Sequence, residues 1–281
     1  MPAPGDASAA CGECGGTGWV PSAEDHARVA RCSCRRRRDA ERLVGDAGIP
    51  PRYRFCSLGV HGVALKEDEE TRRRWGFQVS SHPQLLAAAV ACKHYVESFL
   101  APENGSGRHF RDTGLLFTGP PGAGKTHLAA ATLRELIASY RVRGRFVDFT
   151  SLTQDLQTAI DPDAPRSRLE LLDPVENAEV LVVDELGAQT LRPWAADVLY
   201  DLINRRYARR LPTLFTTNYQ LDDAAGRQET LDRGADVAGH GLLSRRIPGM
   251  LVSRLWEMTQ VVSLDAVRDY RMEVRAHQHR A

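Results

Sequence analysis

The sequence predicts an α/β protein, a doubly wound parallel sheet around a phosphate-binding loop, with a small zinc-binding module in front. Three observations predict it. Gly119-Pro120-Pro121-Gly122-Ala123-Gly124-Lys125-Thr126 matches G-x-x-x-x-G-K-[ST] at every fixed position, between the apolar run from Leu115 and a helical stretch. Further short apolar runs then alternate with amphipathic ones, the pattern of a sheet covered on both faces. Two close cysteine pairs, Cys11/Cys14 and Cys32/Cys34, precede all of this.

Composition bounds the reading. At 281 residues the chain can hold one sizeable core and an accessory module, and 42% hydrophobic with 26% charged residues is ordinary for a globular protein. A net charge of +1 gives no global bias toward nucleic acid, so such contacts must come from local patches. No apolar run reaches the ~20 residues that span a bilayer, and Met1 to Ala10 lacks a signal pattern. A cytoplasmic protein without a membrane partner is expected, and there cysteines bind metal more often than they form disulfides.

Taken in order, residues 1–10 are small, polar and expected to be disordered. The two cysteine pairs can present four thiolates to one Zn²⁺, with the glycines after Cys14 allowing the tight turn; His26, between the pairs, could replace one cysteine. Cys56 and Cys92 stand alone and read as small core residues. Arg28, Arg31 and Arg35 to Arg38 run without an acidic residue, either as a phosphate-contacting patch or as a solvated helix face. These features make residues 1–38 one module.

Residues 39–110 form a linker and helical connector. Gly48-Ile49-Pro50-Pro51 breaks any helix, and residues 66–74 are dense in charge. Pro83 opens a helix over Gln84–Leu100, with Leu86, Val90, Tyr95 and Phe99 at helical spacing. Asn104 to Gly107 is a loop.

The nucleotide-binding core fills residues 111–281. After the loop come a helix from Lys125 to near Tyr140, a strand over Arg145–Phe149, and a helix capped by Thr150 or Ser151. A bend at Asp161–Pro165 leads to a short helix at Arg168–Leu172. Val180–Val183 is a strand ending in Asp184-Glu185, and Pro193–Arg210 is a long helix. Thr213–Thr217 is a strand ending in Asn218, and residues 222–241 are an exposed excursion. Gly249–Met258 is helical, Gln260–Ser263 is the last strand, and a terminal helix follows Asp265.

The loop's chemistry follows from its residues. Glycines let successive N–H groups turn toward a polyphosphate, and the helix N-terminus adds partial positive charge. Lys125 would reach the outer phosphates and the Thr126 hydroxyl would ligate Mg²⁺. Lys66, Lys93 and Lys125 are the only lysines among 37 basic residues, so a compact point charge is specified at the loop where arginine is used nearly everywhere else. Asp184 would hold Mg²⁺ through water, Glu185 would act as general base, and Asn218 can reach the γ-phosphate or the attacking water.

These residues together resemble the AAA+ ATPases, and more narrowly the helicase-loader and transposition-helper group typified by DnaC, DnaI and IstB. The resemblance covers residues 40–275. It is carried by Gly48-Ile49-Pro50-Pro51-Arg52-Tyr53, by Gly114 to Ala129 including His127-Leu128-Ala129, and by Leu181-Val182-Val183-Asp184-Glu185-Leu186-Gly187. Thr216-Thr217-Asn218, Ser253-Arg254-Leu255 and Asp269-Tyr270-Arg271 complete it. It implies an AAA+ core of the additional-strand (ASCE) type, ATP with Mg²⁺, and assembly into a homo-oligomer when ATP is bound. Asn218 becomes the first sensor, Arg254 the finger given to a neighbouring subunit, and Arg271 the second sensor. Members often carry another arginine four residues before the finger; here that position is Met250, and Arg245 and Arg246 lie upstream of Pro248 as other candidates.

The leading expectation is an ATP-driven loader that delivers a replicative helicase to single-stranded DNA. Two alternatives stand beside it: a helper that works with a transposase, and a zinc-dependent DNA-binding adaptor that uses ATP only as a switch. Intact Glu185 and Asn218 argue against the last, and the zinc module with its arginines favours the first over the second.

Overall fold

A computed structural model of the chain describes residues 11–22, 28–58, 83–99, 114–161, 163–189, 191–221, 241–267 and 269. His26, the charged linker, the Asn104–Gly107 loop, the excursion after 221, most of the terminal helix and Arg271 lie outside the described residues.

The chain begins with an antiparallel hairpin, β1 (Trp19–Pro21) and β2 (Val29–Arg31), followed by helix α1 (Ser33–Asp46). Cys34 lies in the first turn of α1, while Leu43 and Val44 pack against the main core. The Phe146 N–H donates to the Ala47 carbonyl at 2.7 Å, and Arg145 reaches the Asp46 carbonyl at 3.2 Å. One continuous helix therefore ties the cysteine module to the sheet, and the expected division at residue 38 falls inside it.

Helix α2 (Pro83–Glu97) precedes the sheet. Of the expected stripe, Tyr95 and Phe99 are buried, but Leu86 and Val90 are 43% and 47% exposed. The buried face is instead Leu85, Ala88, Ala89, Cys92, Tyr95 and Val96. Small residues line it because α2 packs closely on the helix after the phosphate loop, where the Cys92 thiol meets Thr132.

The five-stranded sheet is parallel throughout: β3 (Leu115–Thr118), β4 (Gly144–Asp148), β5 (Val180–Asp184), β6 (Thr213–Thr216) and β7 (Gln260–Ser263), in the order β4-β5-β6-β3-β7. Alternate residues face opposite layers. Leu115, Phe117, Val180, Val182 and Leu214 join a core with α2 and α3 (Lys125–Tyr140). Leu116, Leu181, Val183 and Phe215 join a second core. Its helices are α4 (Phe149–Thr158), α5 (Arg168–Glu176), α6 (Pro193–Ala208) and α7 (Gly249–Met258). Both faces are covered, which is why the strands read as continuous apolar runs. This is the expected doubly wound sheet.

One helix start and one helix end differ from expectation. Phe149 already belongs to α4, and Asp148 caps it by accepting from the Ser151 N–H at 2.6 Å, in place of Thr150 or Ser151. The Ser167/Glu170 capping box starts α5, which runs on to Glu176. Arg206 of α6 is fully buried without a carboxylate partner among the described residues. It donates to Thr213 Oγ1 at 2.8 Å and to the carbonyls of Ala178 and Pro212, both at 2.8 Å, with longer bonds to Val175 and Glu176. The carbonyl end of α5 supplies the negative charge that this guanidinium needs. Among the described residues no helix is long and apolar enough to cross a membrane.

Candidate ATP site and cysteine cluster

The loop from Gly119 to Gly124 leaves β3 at its carboxyl end and feeds α3. Gly124, the residue before α3, has φ 97°, and Gly122 has φ 76° with Asp269 pressed against it, so a Cβ there would sit 1.9 Å from Oδ1. Both positions need glycine. Lys125 is buried, and its ammonium donates to the carbonyls of Gly119 at 2.8 Å and Pro120 at 2.7 Å. It is held across the mouth of the loop, where an outer phosphate would lie.

β6 stands between β3 and β5 in the sheet, and its carboxyl end links the two halves of the site. Thr216 Oγ1 donates to Asp184 Oδ1 at 2.6 Å and accepts from the Glu185 N–H at 3.0 Å. Thr126 Oγ1 donates to the same Asp184 oxygen at 2.9 Å. Burial pushes the Asp184 carboxyl up to about 6, although both threonine hydroxyls favour its charged form. A divalent cation at this oxygen would relieve that burial. Glu185 has φ 58°, a left-handed conformation that costs a non-glycine residue about 1 kcal/mol or more. Its N–H bond to Thr216 and the Leu186 N–H bond to the Thr216 carbonyl, 2.8 Å, hold it there.

A cavity of about 340 Å³ opens over the loop. Lys125, Thr126, His127, Glu185, Thr216 and Asn218 line one side, and Arg52, Tyr53 and Cys56 line the other. Its size suits a nucleotide. His127 Nε2 lies 3.3 Å from the Ser57 carbonyl, so that nitrogen carries the proton and donates. Nδ1 then accepts from the Cys56 thiol at 3.1 Å. Burial pushes that thiol up to about 12, which keeps it a neutral donor. Arg134 of α3 donates to the Cys56 carbonyl. The segment after α1 is thus fastened to the phosphate-loop helix.

A second groove of about 200 Å³ shares Glu185 with the first. Thr150, Thr153, Gln154, Gln157, Gln189, Arg192 and Trp194 line it, and Arg168 lies over the Trp194 ring at 5.8 Å.

Arg254 is not part of the first cavity's lining. Its guanidinium sits 5.0 Å from the centre of the Tyr200 ring on α6, and its Nη1 is buried without a hydrogen-bond partner among the described residues. Glu257 accepts instead from the Tyr207 hydroxyl at 2.5 Å, and Asp265 from Ser263 at 2.8 Å. Arg246 lies over the Tyr219 ring at 4.8 Å.

Near the N-terminus, the sulfurs of Cys11, Cys14, Cys32 and Cys34 all lie within 4.8 Å of one another. Cys11 and Cys32 are 3.7 Å apart and Cys14 and Cys34 3.5 Å. A tetrahedral ion with metal–sulfur bonds of about 2.3 Å needs sulfurs about 3.8 Å apart, so this set fits one. Burial alone would raise the Cys14 thiol, but the Gly18 N–H and the Cys34 and Cys11 thiols bring it down to about 6, toward the ligating thiolate. The cluster can hold a metal.

A phosphate loop on one strand, an acidic pair two strands away and a threonine-bearing strand between them define a P-loop ATP-binding protein. Residues 109–229 match the family described as IstB-like ATP binding protein. The replicative helicase loader DnaC of Escherichia coli K12 is 27% identical over 185 residues, 65% of this chain and 63% of the relative. The replicative helicase loader DnaI of Bacillus subtilis is 27% identical over 135 residues, 48% of this chain and 41% of the relative. The crystal structure of the DnaC helicase loader aligns with TM-score 0.54 at 27% identity, covering 76% of this chain and 99% of that one. The chain spans less than two thirds of the length of these two sequence relatives. Its nucleotide-binding core is similar to the IstB/DnaC-like ATP-binding proteins.

Of the residues singled out in the sequence, the loop, His127, Glu185 and Asn218 meet around the first cavity, Asp184 lies behind Thr126, and the four cysteines meet around one point. Arg254 lies apart, and Arg271 is outside the described residues. Thr216 was missed as a site residue, as were Arg52, Tyr53 and Cys56. The Pro50-Pro51-Arg52-Tyr53 and Thr216-Thr217-Asn218 stretches carried the family resemblance and were the signals for Arg52, Tyr53 and Thr216.

Proposed function

We propose that this chain is an ATP-driven loader that delivers a replicative helicase ring to single-stranded DNA in the cytoplasm. The observation that carries this reading is the similarity to helicase loaders in sequence and fold, together with a hydrolytic set around the loop. Lys125 would leave its two carbonyls for the outer phosphates. Glu185, held by Thr216 at the cavity wall, would take the proton of the attacking water, and Asn218 would orient that water. Thr126 and Asp184 would hold Mg²⁺, which neutralises phosphate charge when bound. Arg254 would act on the nucleotide of a neighbouring copy, and Arg271 on its own. Cys11, Cys14, Cys32 and Cys34 would hold Zn²⁺ as a structural ion.

The second groove supports a DNA partner for the core, because Trp194 with Arg192 and several amides suits an unpaired strand. The family description as IstB-like supports a second reading, a transposase helper with the same ATP site. Affinity capture from the native cell with ATP present separates the two. Recovery of a hexameric helicase supports the loader, and recovery of a transposase in its place overturns it.

A further inference from the structure

The outer face of the β1–β2 hairpin has no role in the account so far. Strand register sets Trp19 opposite Arg31 and Pro21 opposite Val29, so these four side chains share one side of the ribbon. Val20, between them, packs inward on the cysteine cluster. The outer four are all exposed, Val29 by 68% and Trp19 by 41%.

Arg35 of α1 completes the face. Its guanidinium lies 4.8 Å from the centre of the Trp19 ring, and its stem crosses Gly18, where a Cβ would come within 3.3 Å of Arg35 Cδ. Gly18, at φ 76°, is the residue that lets this arginine lie flat toward the ring. The charge is biased toward positive. Residues 11–38 contain six arginines, Arg28, Arg31 and Arg35 to Arg38, against Glu24, Asp25 and one further carboxylate, Glu13. That carboxylate already accepts from Ser33 at 2.8 Å and Cys32 at 3.4 Å. Asp39 reaches Arg31 at 3.9 Å, a loose exposed contact that a phosphate can displace.

We propose that this face binds single-stranded nucleic acid, with a base stacked on the Trp19–Arg35 pair and Arg31 against an adjoining phosphate. An aromatic ring beside an excess of arginines is the combination that unpaired strands recognise, since every base has a π-face and every linkage a negative charge. A duplex hides its bases from such a ring. An acidic protein segment would answer the arginines but leave the stacked aromatic unused. The inference needs only the cysteine module and stands whether or not the loader reading holds.

The test uses the full chain without nucleotide and a fluorescein-labelled oligothymidylate, titrated by anisotropy across a salt series. Trp19→Ala should weaken binding by about tenfold or more, and Trp19→Phe should restore most of it. Arg31→Ala should make the slope of log affinity against log salt shallower by about 0.7. Metal content and ATP affinity, unchanged in these variants, exclude unfolding as the cause. An oligonucleotide carrying 4-thiothymidine should crosslink to the peptide containing Trp19. Wild-type affinity and salt slope in both alanine variants, or crosslinks confined to the ATP-binding core, overturn the proposal and leave this face to a protein partner. Failure to capture a helicase would count against the loader and would not alter these results.

Discussion

The Thr216 hydroxyl donates to the Asp184 carboxylate at 2.6 Å while it accepts from the Glu185 N–H at 3.0 Å, so a single oxygen positions both acidic residues. Removing it should affect the proposed metal ligand, Asp184, and the proposed base, Glu185, together. Thr216→Val keeps the shape of the buried strand but leaves the Glu185 N–H without its acceptor. A lost buried bond of this kind costs about 1–3 kcal/mol. Turnover of ATP should fall by about tenfold or more, with nucleotide affinity in the absence of Mg²⁺ nearly unchanged. Steady-state hydrolysis and a nucleotide titration on one preparation check this, and unchanged turnover would show that Thr216 positions nothing.

Glu185 and Lys125 should separate chemistry from binding. Glu185→Gln should keep ATP affinity and slow turnover by ~10²-fold or more, in line with the contribution of a positioned base. Lys125→Ala should weaken nucleotide binding itself, because the ammonium is the cation at the loop mouth. Full turnover in Glu185→Gln would remove the residue from its role.

Arg254 lies against Tyr200 on its own subunit and away from the cavity's lining, which suits a group that serves another copy. Fingers of this kind contribute about 10³–10⁵ in rate. Specific activity should therefore rise with protein concentration. Arg254→Ala and Lys125→Ala should each be inactive, yet regain activity when mixed, since the Lys125→Ala copy lends its finger to an intact pocket. A mixture that co-assembles and stays inactive contradicts action in trans.

Arg206 is the fold's most exacting side chain. Arg206→Met fills similar space but strands the carbonyls of Ala178 and Pro212 in the interior and takes a donor from the Thr213 hydroxyl. The loss should be about 3 kcal/mol or more, read from the midpoint of a urea transition followed by circular dichroism. Arg206→Lys should recover part of it, because an ammonium can reach some of the same acceptors.

Much of the ATP site could be read in the sequence because its parts are local. A phosphate loop joins a strand to a helix, and four apolar residues before Asp184-Glu185, about 60 residues after such a loop, read as a buried strand end. The four cysteines were legible for the same reason, since thiolate chemistry needs close pairs. Thr216 was not, because its importance depends on which strand lies between β3 and β5, and strand order is a property of the whole sheet. Cys56 is the buried core residue that the sequence suggests, but nothing near it in sequence announces its bond to His127. Leu86 and Val90 fall at helical spacing with Tyr95 and Phe99, whereas α2 buries Leu85, Ala88, Ala89 and Cys92 instead. Arg206 looked like any other cation on an amphipathic helix, and only the position of the α5 carbonyls reveals its burial.

The most direct measurement is helicase loading itself. Single-stranded circular DNA carrying an annealed, labelled strand, coated with single-strand-binding protein, is given the replicative helicase of the same cell, ATP and this protein. Strand release should depend on the protein and should be lost when Lys125→Ala replaces it. Release at the same rate with and without the protein, in the presence of a helicase that it binds, would contradict the account.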